Sequence, residues 1–364
     1  MRVGVSSFWF NRGQAVVGRQ LRSGLDSMGH ETSVLARPAK DTAAKPAMLS
    51  RDDVWAQDGV TEASHYLIPF EEMERWARGN QLEAVLFDQN YQFDEIAQLR
   101  ALGVRTYGRF VWEQFSQEHV EGAKRAFDRV YSMTACERER YAGFGIESPR
   151  VRWGIHPELL EGAAAADAER DSHAGGEVTF FFPGGYMTKR KPLKPVLEAF
   201  SRARGDGLRL VLKAQVERRS KLVFRAARKD ERIELIVDDL PDAEHKRLFS
   251  SADVCLAPSR WEGLGLHLYE ATAFGMPIIT NDHPPMNEVV RNGENGVLVD
   301  GIEMDEPADS GIGAYDPDPG QLTAAIERLA DPDVRLGLNA GARAARERLS
   351  WENTLADLTA LLEG

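Results

Sequence analysis

Cysteine is nearly missing from this chain. The two present, Cys136 and Cys255, cannot build a disulfide framework, and Cys255, inside the apolar run DVCLAP, reads as a small buried thiol. The eight histidines are scattered and no Cys/His cluster has metal-ligand spacing, so no metal is expected. No apolar run approaches the roughly 20 residues of a membrane-crossing helix. The opening MRVGVSSFWFNRG turns polar too soon for a secretion signal and reads as a first β-strand, which makes a cytoplasmic protein the expectation. Positive charge is short as well. The net charge is −12, with 19 basic and 21 acidic residues in positions 1–150 and 26 and 36 in the remainder. Neither half offers the basic face that nucleic acid needs, and membrane association is not evident. Several nucleotide and hydrolase signatures are absent too. GLGLHL is not Gly-x-Gly-x-x-Gly, which disfavours a nicotinamide dehydrogenase, and there is no Walker motif, Gly-x-Ser-x-Gly elbow or Ser-x-x-Lys constellation.

What remains is ordinary globular material, 43% hydrophobic and 28% charged over 364 residues, long enough for two domains of roughly 150 residues each. Strand-like runs alternate with amphipathic stretches, the pattern of parallel sheets wrapped by helices. The first half offers strands at Arg2–Ser6, Thr32–Ala36, Ala84–Asp88, Val104–Tyr107 and Arg129–Ser132, with helices near Gln14–Met28, Phe93–Leu102, Glu118–Phe127 and Ala135–Phe144. The alternation restarts with Val178–Pro183, Leu208–Lys213, Ile233–Val237, Val254–Ala257, Pro277–Thr280 and Gly296–Val299. Two doubly wound α/β domains are expected, with a cleft between them. Their ranges are 1–153, 154–345 and a C-terminal helix at 346–364 packing back toward the first domain. The Ala/Gly-rich segment from Glu161 to Glu177 reads as a junction loop, with a short polar helix as the alternative. A second irregular stretch runs from Gly301 to Gly320, where long loops are often functional, and the tail from Gln321 holds two or three helices. Arg218, Arg219, Lys221, Arg225, Arg228 and Lys229 fall on one helical stretch whose Leu222, Val223, Ala226 and Ala227 give it an apolar side. A solvated basic face is the preferred reading.

The densest chemistry lies in ADVCLAPSRWEGLGLHLYEATAFGMPIITNDHPPMNEVV. A strand ends at Pro258, a Gly-containing turn carries Glu262, and a helix beginning near Leu266 carries Glu270 about one turn in. Open α/β sheets bind ligands at the carboxyl ends of their strands. Gly263 and Gly265 let backbone approach a ligand, and the helix N-terminus offers N–H groups to a phosphate. Plain turn and cap chemistry is the alternative for the same residues. In VTFFFPGGYMTKRKPLKPVLEAF a strand runs into Gly184-Gly185, and the basic residues of the following loop could face an anion; a solvated basic loop is the alternative. At the start, SSFWFNRGQAVVGRQL reads as strand, loop and helix. Trp9 and Phe10 there are core residues or, less favoured, a stacking surface for an acceptor.

The long segment resembles the donor-site signature of retaining glycosyltransferases of family 4, the group 1 glycosyltransferases of GT-B fold. Asp253, Pro258, Ser259, Glu262, Glu270, Ala273, Gly275 and Pro277 fall on its pattern, as do Glu288, Gly293 and Gly296 downstream. A weaker likeness covers nearly the whole chain, including Ser350-Trp351-Glu352. The resemblance implies an α/β GT-B fold, with two Rossmann-like domains facing a central cleft. It implies transfer of a sugar from a nucleoside-diphosphate sugar to a small-molecule or glycan acceptor, with retained configuration and neither cofactor nor metal. It assigns Glu270 to the ribose hydroxyls, Glu262 to the donor sugar, and the backbone of Gly263, Leu264 and Gly265 to diphosphate or sugar. Lys191 takes the family's lysine place, beside Gly185, Lys189 and Arg190, and Gly13 takes the place of a glycine near the donor phosphate. Two departures stand out. Tyr186 occupies the place of the family's arginine, leaving Lys189 or Arg190 to supply the cation. No histidine follows the strand at Val104–Tyr107, where Arg109, Trp112 and Glu113 are the nearest candidates and His119 lies too far along. Asn11 and Arg12 complete the acceptor-side candidates, Asp88-Gln89-Asn90 ends a strand that could face the same way, and base contacts are expected around Asp239–Leu240. The competing functions are a sugar-nucleotide epimerase of the same architecture and a non-catalytic nucleotide-sugar-binding partner.

Overall fold

The computed structural model describes the chain apart from residues 41–47, 173–175, 187, 216–224, 226 and 306–310. It divides into two compact units, Met1–Arg152 with Glu352–Gly364, and Trp153–Trp351.

The first unit is built on six parallel strands: β1 (Arg2–Phe8), β2 (Glu31–Arg37), β3 (Val60–Glu62), β4 (Ala84–Asp88), β5 (Arg105–Arg109) and β6 (Arg129–Val130), in the order β3-β2-β1-β4-β5-β6. Valine and leucine on successive positions suit strands covered on both faces. All five residues of β4 are buried. The helix Phe70–Gly79 places Trp76 against β1, and a Cβ on Gly4 would lie 2.4 Å from its ring. Leu35, Val85, Phe87, Leu99, Phe110 and Phe127 fill the same core. The last helix, Trp351–Glu363, is tied in through Asp357, which takes two hydrogen bonds from the Arg152 guanidinium at 2.7 and 2.8 Å, and through Thr354 Oγ1, which donates to Arg152 O at 2.7 Å.

The second unit repeats the plan with β7 (Val178–Gly185), β8 (Leu208–Ala214), β9 (Ile233–Val237), β10 (Val254–Leu256), β11 (Ile278–Asn281) and β12 (Gly296–Val299), ordered β12-β11-β10-β7-β8-β9. All these strands pair in parallel. Counted from its own first strand, this is the same winding as the first sheet. In each, the strand order reverses beside the first strand, between β1 and β4 and between β7 and β10, which is where such sheets open a crevice at their carboxyl ends.

Several elements differ from expectation. The segment read as a junction loop forms a helix, Ala163–Ser172. Four consecutive alanines favour the helix, and tertiary contacts fix it. Asp167 receives the Arg346 guanidinium at 2.8 and 2.9 Å, and Arg170 donates to the carbonyls of Ser250, Ala252 and Phe274. The stretch from Gly301 contains two short antiparallel strands, β13 (Gly301–Glu303) and β14 (Tyr315–Pro317). Asp318 then caps the helix Pro319–Ala330 by accepting Gln321 N–H at 2.8 Å. β3 and the helix Phe70–Gly79 were not foreseen. Of the basic stretch, Arg218, Arg219, Lys221, Leu222, Val223 and Ala226 lie outside the described residues; Arg225, Arg228 and Lys229 are exposed and Ala227 is buried.

Glycine marks a close approach in the helix Pro332–Arg348, where a Cβ on Gly341 would stand 1.9 Å from Glu294 O, while one on Gly337 meets nothing within 4 Å. Gly341→Ala is therefore expected to destabilise by about 1–3 kcal/mol, and Gly337→Ala to stabilise by up to about 1 kcal/mol through helix propensity. Thermal unfolding of both variants beside the native protein reads the contrast.

Candidate active site

The crevice position of the second unit is assembled from two loops. β7 ends with a register shift between Pro183 and Gly185, and Gly185 adopts φ +53°, a backbone that favours glycine. The chain then folds back, Lys191 N–H donating to Thr188 O at 3.1 Å, before the helix Leu193–Arg202 starts. Beyond β10, Gly265 turns left-handed (φ 76°, ψ 47°) and opens the helix Leu266–Ala273, whose N-terminus has no side-chain cap. Arg260 pins the two loops together. Its N–H donates to Arg190 O at 2.9 Å, and its guanidinium donates to Lys189 O and to Asp316 Oδ1, both at 2.6 Å. Asn281 Nδ2, at the end of β11, donates to Ser259 O at 3.2 Å and Tyr315 O at 2.9 Å, so β14 also supports the site.

Glu262 sits where these loops meet, 4% exposed. Lys191 Nζ donates to Glu262 Oε1 at 2.8 Å and to Ser259 Oγ at 2.9 Å, and Arg190 Nη1 donates to Glu262 Oε2 at 3.1 Å. Burial pushes the Glu262 carboxyl up, but Lys191 and Arg190 pull it down further, and it ends well below the usual carboxylate range. His267 Nε2 stands 3.9 Å from Glu262 Oε1. Burial first and Lys191 second push that imidazole down to about 3, so it is neutral at physiological pH. Glu270, half-buried on the same helix, faces a different set. Burial and Asp242 push it up to about 7, Glu158 adds to this, and Lys246 and Lys191 oppose it. Lys191 thus acts on both glutamates.

The structure brings Lys191, Arg190, Glu262 and the backbone of Gly263, Leu264 and Gly265 into this one place, with Lys189 exposed and Tyr186 half-buried on the loop from Gly185. Asn11, Arg12 and Gly13 follow β1 in the first unit, at the start of the helix Gly13–Ser27. Trp9 is core, its Nε1–H donating to Trp55 O at 3.0 Å. Arg109 lies 1% exposed between Asp88 (3.3 Å) and Glu137 (2.7 Å), and Trp112 and Glu113 are buried too. His119 accepts Ser116 N–H at 3.1 Å within an aromatic cluster. The sequence reading missed Arg260, Asp316, Asn281 and His267 as parts of the site. His267 stood inside the motif, but only its contact with Glu262 gives it meaning.

The raised Glu270 has a consequence for stability. A carboxyl held above its ordinary value keeps its proton in the folded protein while the unfolded chain releases it. Folding therefore loses stability as pH rises from about 4.5 through about 7. Glu270→Gln removes that loss. The variant should melt above the native protein at pH 8, with the gap closing toward pH 5, as differential scanning calorimetry across that range would measure.

Known proteins resemble this chain in sequence over part of its length and in fold over all of it. D-inositol 3-phosphate glycosyltransferase of Acidothermus cellulolyticus is 33% identical over 116 residues, 32% of this chain and 22% of that relative's length. Sucrose-phosphate synthase from Thermosynechococcus elongatus superposes with a TM-score of 0.75 at 17% identity, covering 100% of this chain and 98% of that one. Anabaena HepE, solved in complex with UDP and glucose, gives 0.70 at 13% identity, covering 100% and 99%. At these identities the structural likenesses establish the fold, two doubly wound α/β units of the GT-B class. Residues 167–310, which contain Lys191, Glu262 and Glu270, match the sequence model of the family described as glycosyl transferases group 1.

Proposed function

We propose that the protein is a glycosyltransferase that moves a sugar from a nucleoside-diphosphate sugar to an acceptor hydroxyl, with retention of anomeric configuration and without a metal. The observation that carries this reading is the grouping of Lys191, Arg190, Ser259 and Glu262 at the carboxyl ends of β7 and β10, beside the uncapped N-terminus of the helix Leu266–Ala273. Two cations and a row of backbone N–H groups suit a diphosphate. The family match over residues 167–310 supports the same assignment.

The roles follow from charge. As the bond between the anomeric carbon and the diphosphate oxygen breaks, its electron pair goes to the diphosphate, where Lys191 and Arg190 neutralise the growing charge. The acceptor oxygen bonds to the anomeric carbon and its proton passes to the departing diphosphate. Glu270, a few residues into the same helix, accepts from the ribose hydroxyls, and Glu262 faces the sugar. With Arg109 enclosed by two carboxylates and Trp112 and Glu113 buried, Asn11 and Arg12 in the loop after β1 serve the acceptor, and Gly13 keeps its place near the donor phosphate. A cytoplasmic location accords with the scarcity of cysteine.

A thermal-shift panel of UDP, GDP, ADP and dTDP, each with and without EDTA, tests the donor site. One nucleotide should raise the melting temperature selectively and insensitively to EDTA. At a hundredfold excess over Kd it should stabilise by about 2.7 kcal/mol. No shift with any of them would overturn the assignment. Lys191→Ala should lower kcat by about 10²–10³-fold while nucleotide Kd changes far less; equal losses in both would remove its leaving-group role.

A further inference from the structure

Glu262 and the proposed leaving group compete for the same two cations. Both Lys191 and Arg190 are engaged by Glu262, at 2.8 and 3.1 Å, yet the proposed reaction needs them on a diphosphate. A ligand carrying two or more negative charges draws them toward itself. That leaves a 4% exposed carboxylate with weakened partners, and a buried charge so deprived is strongly unfavourable unless another donor takes over.

One group is placed to do so. His267 is the second residue of the helix Leu266–Ala273, and the left-handed turn at Gly265 aims that helix at the loop bearing Glu262. Its Nε2 is buried, has no hydrogen-bond partner among the described residues, and lies 3.9 Å from Glu262 Oε1. That distance is too long for a hydrogen bond, and Lys191 Nζ sits on the same oxygen at 2.8 Å. A buried polar atom left without a partner calls for an explanation, and here an acceptor stands just beyond bonding distance. The charged groups facing the ring are Lys191 and Arg190 from the loop after β7 and Glu262 from the turn after β10.

We propose that His267 is a positioning residue: its Nε2–H takes the hydrogen bond of Glu262 when a diphosphate draws Lys191 and Arg190 off that carboxylate. The idea rests on the donor-site reading above. The neutral imidazole suits the role, since one of its ring nitrogens carries a hydrogen and Nε2 is free to be that one. Glu262 then stays ionised and fixed against the sugar while the cations serve the leaving group.

Two substitutions separate this from a packing role. His267→Leu fills the space without a donor, and His267→Gln keeps an N–H near the position of Nε2. In the ligand-free protein, His267→Leu should melt at or above the native temperature, because an unpartnered polar atom is replaced by carbon. Its Kd for the nucleoside diphosphate selected from UDP, GDP, ADP and dTDP, read by calorimetry, should weaken about tenfold or more, the size of a hydrogen bond to a charged group. His267→Gln should stay within about threefold of the native Kd. In a Glu262→Gln background the effect of His267→Leu should largely vanish, as a double-mutant cycle would register. Native affinity in His267→Leu, or a lowered ligand-free melting temperature with Gln no better than Leu, overturns the role of His267 and leaves the donor site standing. If the native protein binds none of the four diphosphates, the donor-site reading falls and this role falls with it.

Discussion

Glu262 is a carboxylate kept ionised in a place that disfavours charge. Burying such a group costs on the order of several kcal/mol unless cations and hydrogen bonds answer it, and Lys191 and Arg190 answer it from the opposite loop. That requirement joins the end of β7 to the end of β10, two segments about seventy residues apart in sequence. Much of the surrounding structure serves the join. Arg260 fastens the β7 loop through two of its carbonyls, Asp316 on β14 steadies Arg260, and Asn281 on β11 holds the Ser259 and Tyr315 carbonyls. The cations that neutralise Glu262 are the same two side chains to which the proposed function gives an anionic ligand.

The parallel strands were readable in the sequence because a strand covered on both faces is a short unbroken apolar run, as in VTFFFP and LRLVLK. β3 was not, since its Val60–Glu62 is a three-residue edge strand with two exposed side chains. The helix Ala163–Ser172 was misread because its alanines make it a good helix with little apolar periodicity, and its anchors, Arg346 and the carbonyls met by Arg170, are remote in sequence. The turn and helix that carry Glu262, Gly265 and Glu270 were legible because motif spacing records a local turn followed by a helix, so the three come as a set. Arg260 and Asp316 could not be read that way. Their bond spans 56 positions and exists only once the β13–β14 pair has formed.

The first unit teaches the opposite lesson. Arg109 follows a strand and was a natural candidate for binding, yet it is enclosed by Asp88 and Glu137 and barely touches solvent. Arg37, at the end of β2 in the same sheet, stacks on Phe8 and Tyr66 and donates to Gln89 O at 2.6 Å. A strand-end arginine has the same letter in a sequence whether it is inside or outside, and only the surrounding carboxylates and rings decide. Buried networks of this kind contribute little net stability, but losing one member strands the rest.

The boundary of the first unit has a consequence for how the protein is made. That unit is discontinuous, with residues 352–364 closing against a body formed by residues 1–152, while Trp153–Trp351 is one uninterrupted stretch. During synthesis the second unit emerges whole and can fold as soon as Trp351 leaves the ribosome. The first must wait, with Arg152 and Arg105 lacking Asp357 and the Leu362 carbonyl until the final helix arrives. Of the two units, the one that starts earlier in the chain is therefore the one completed later, and its unfinished face is what chaperones would meet on the nascent chain.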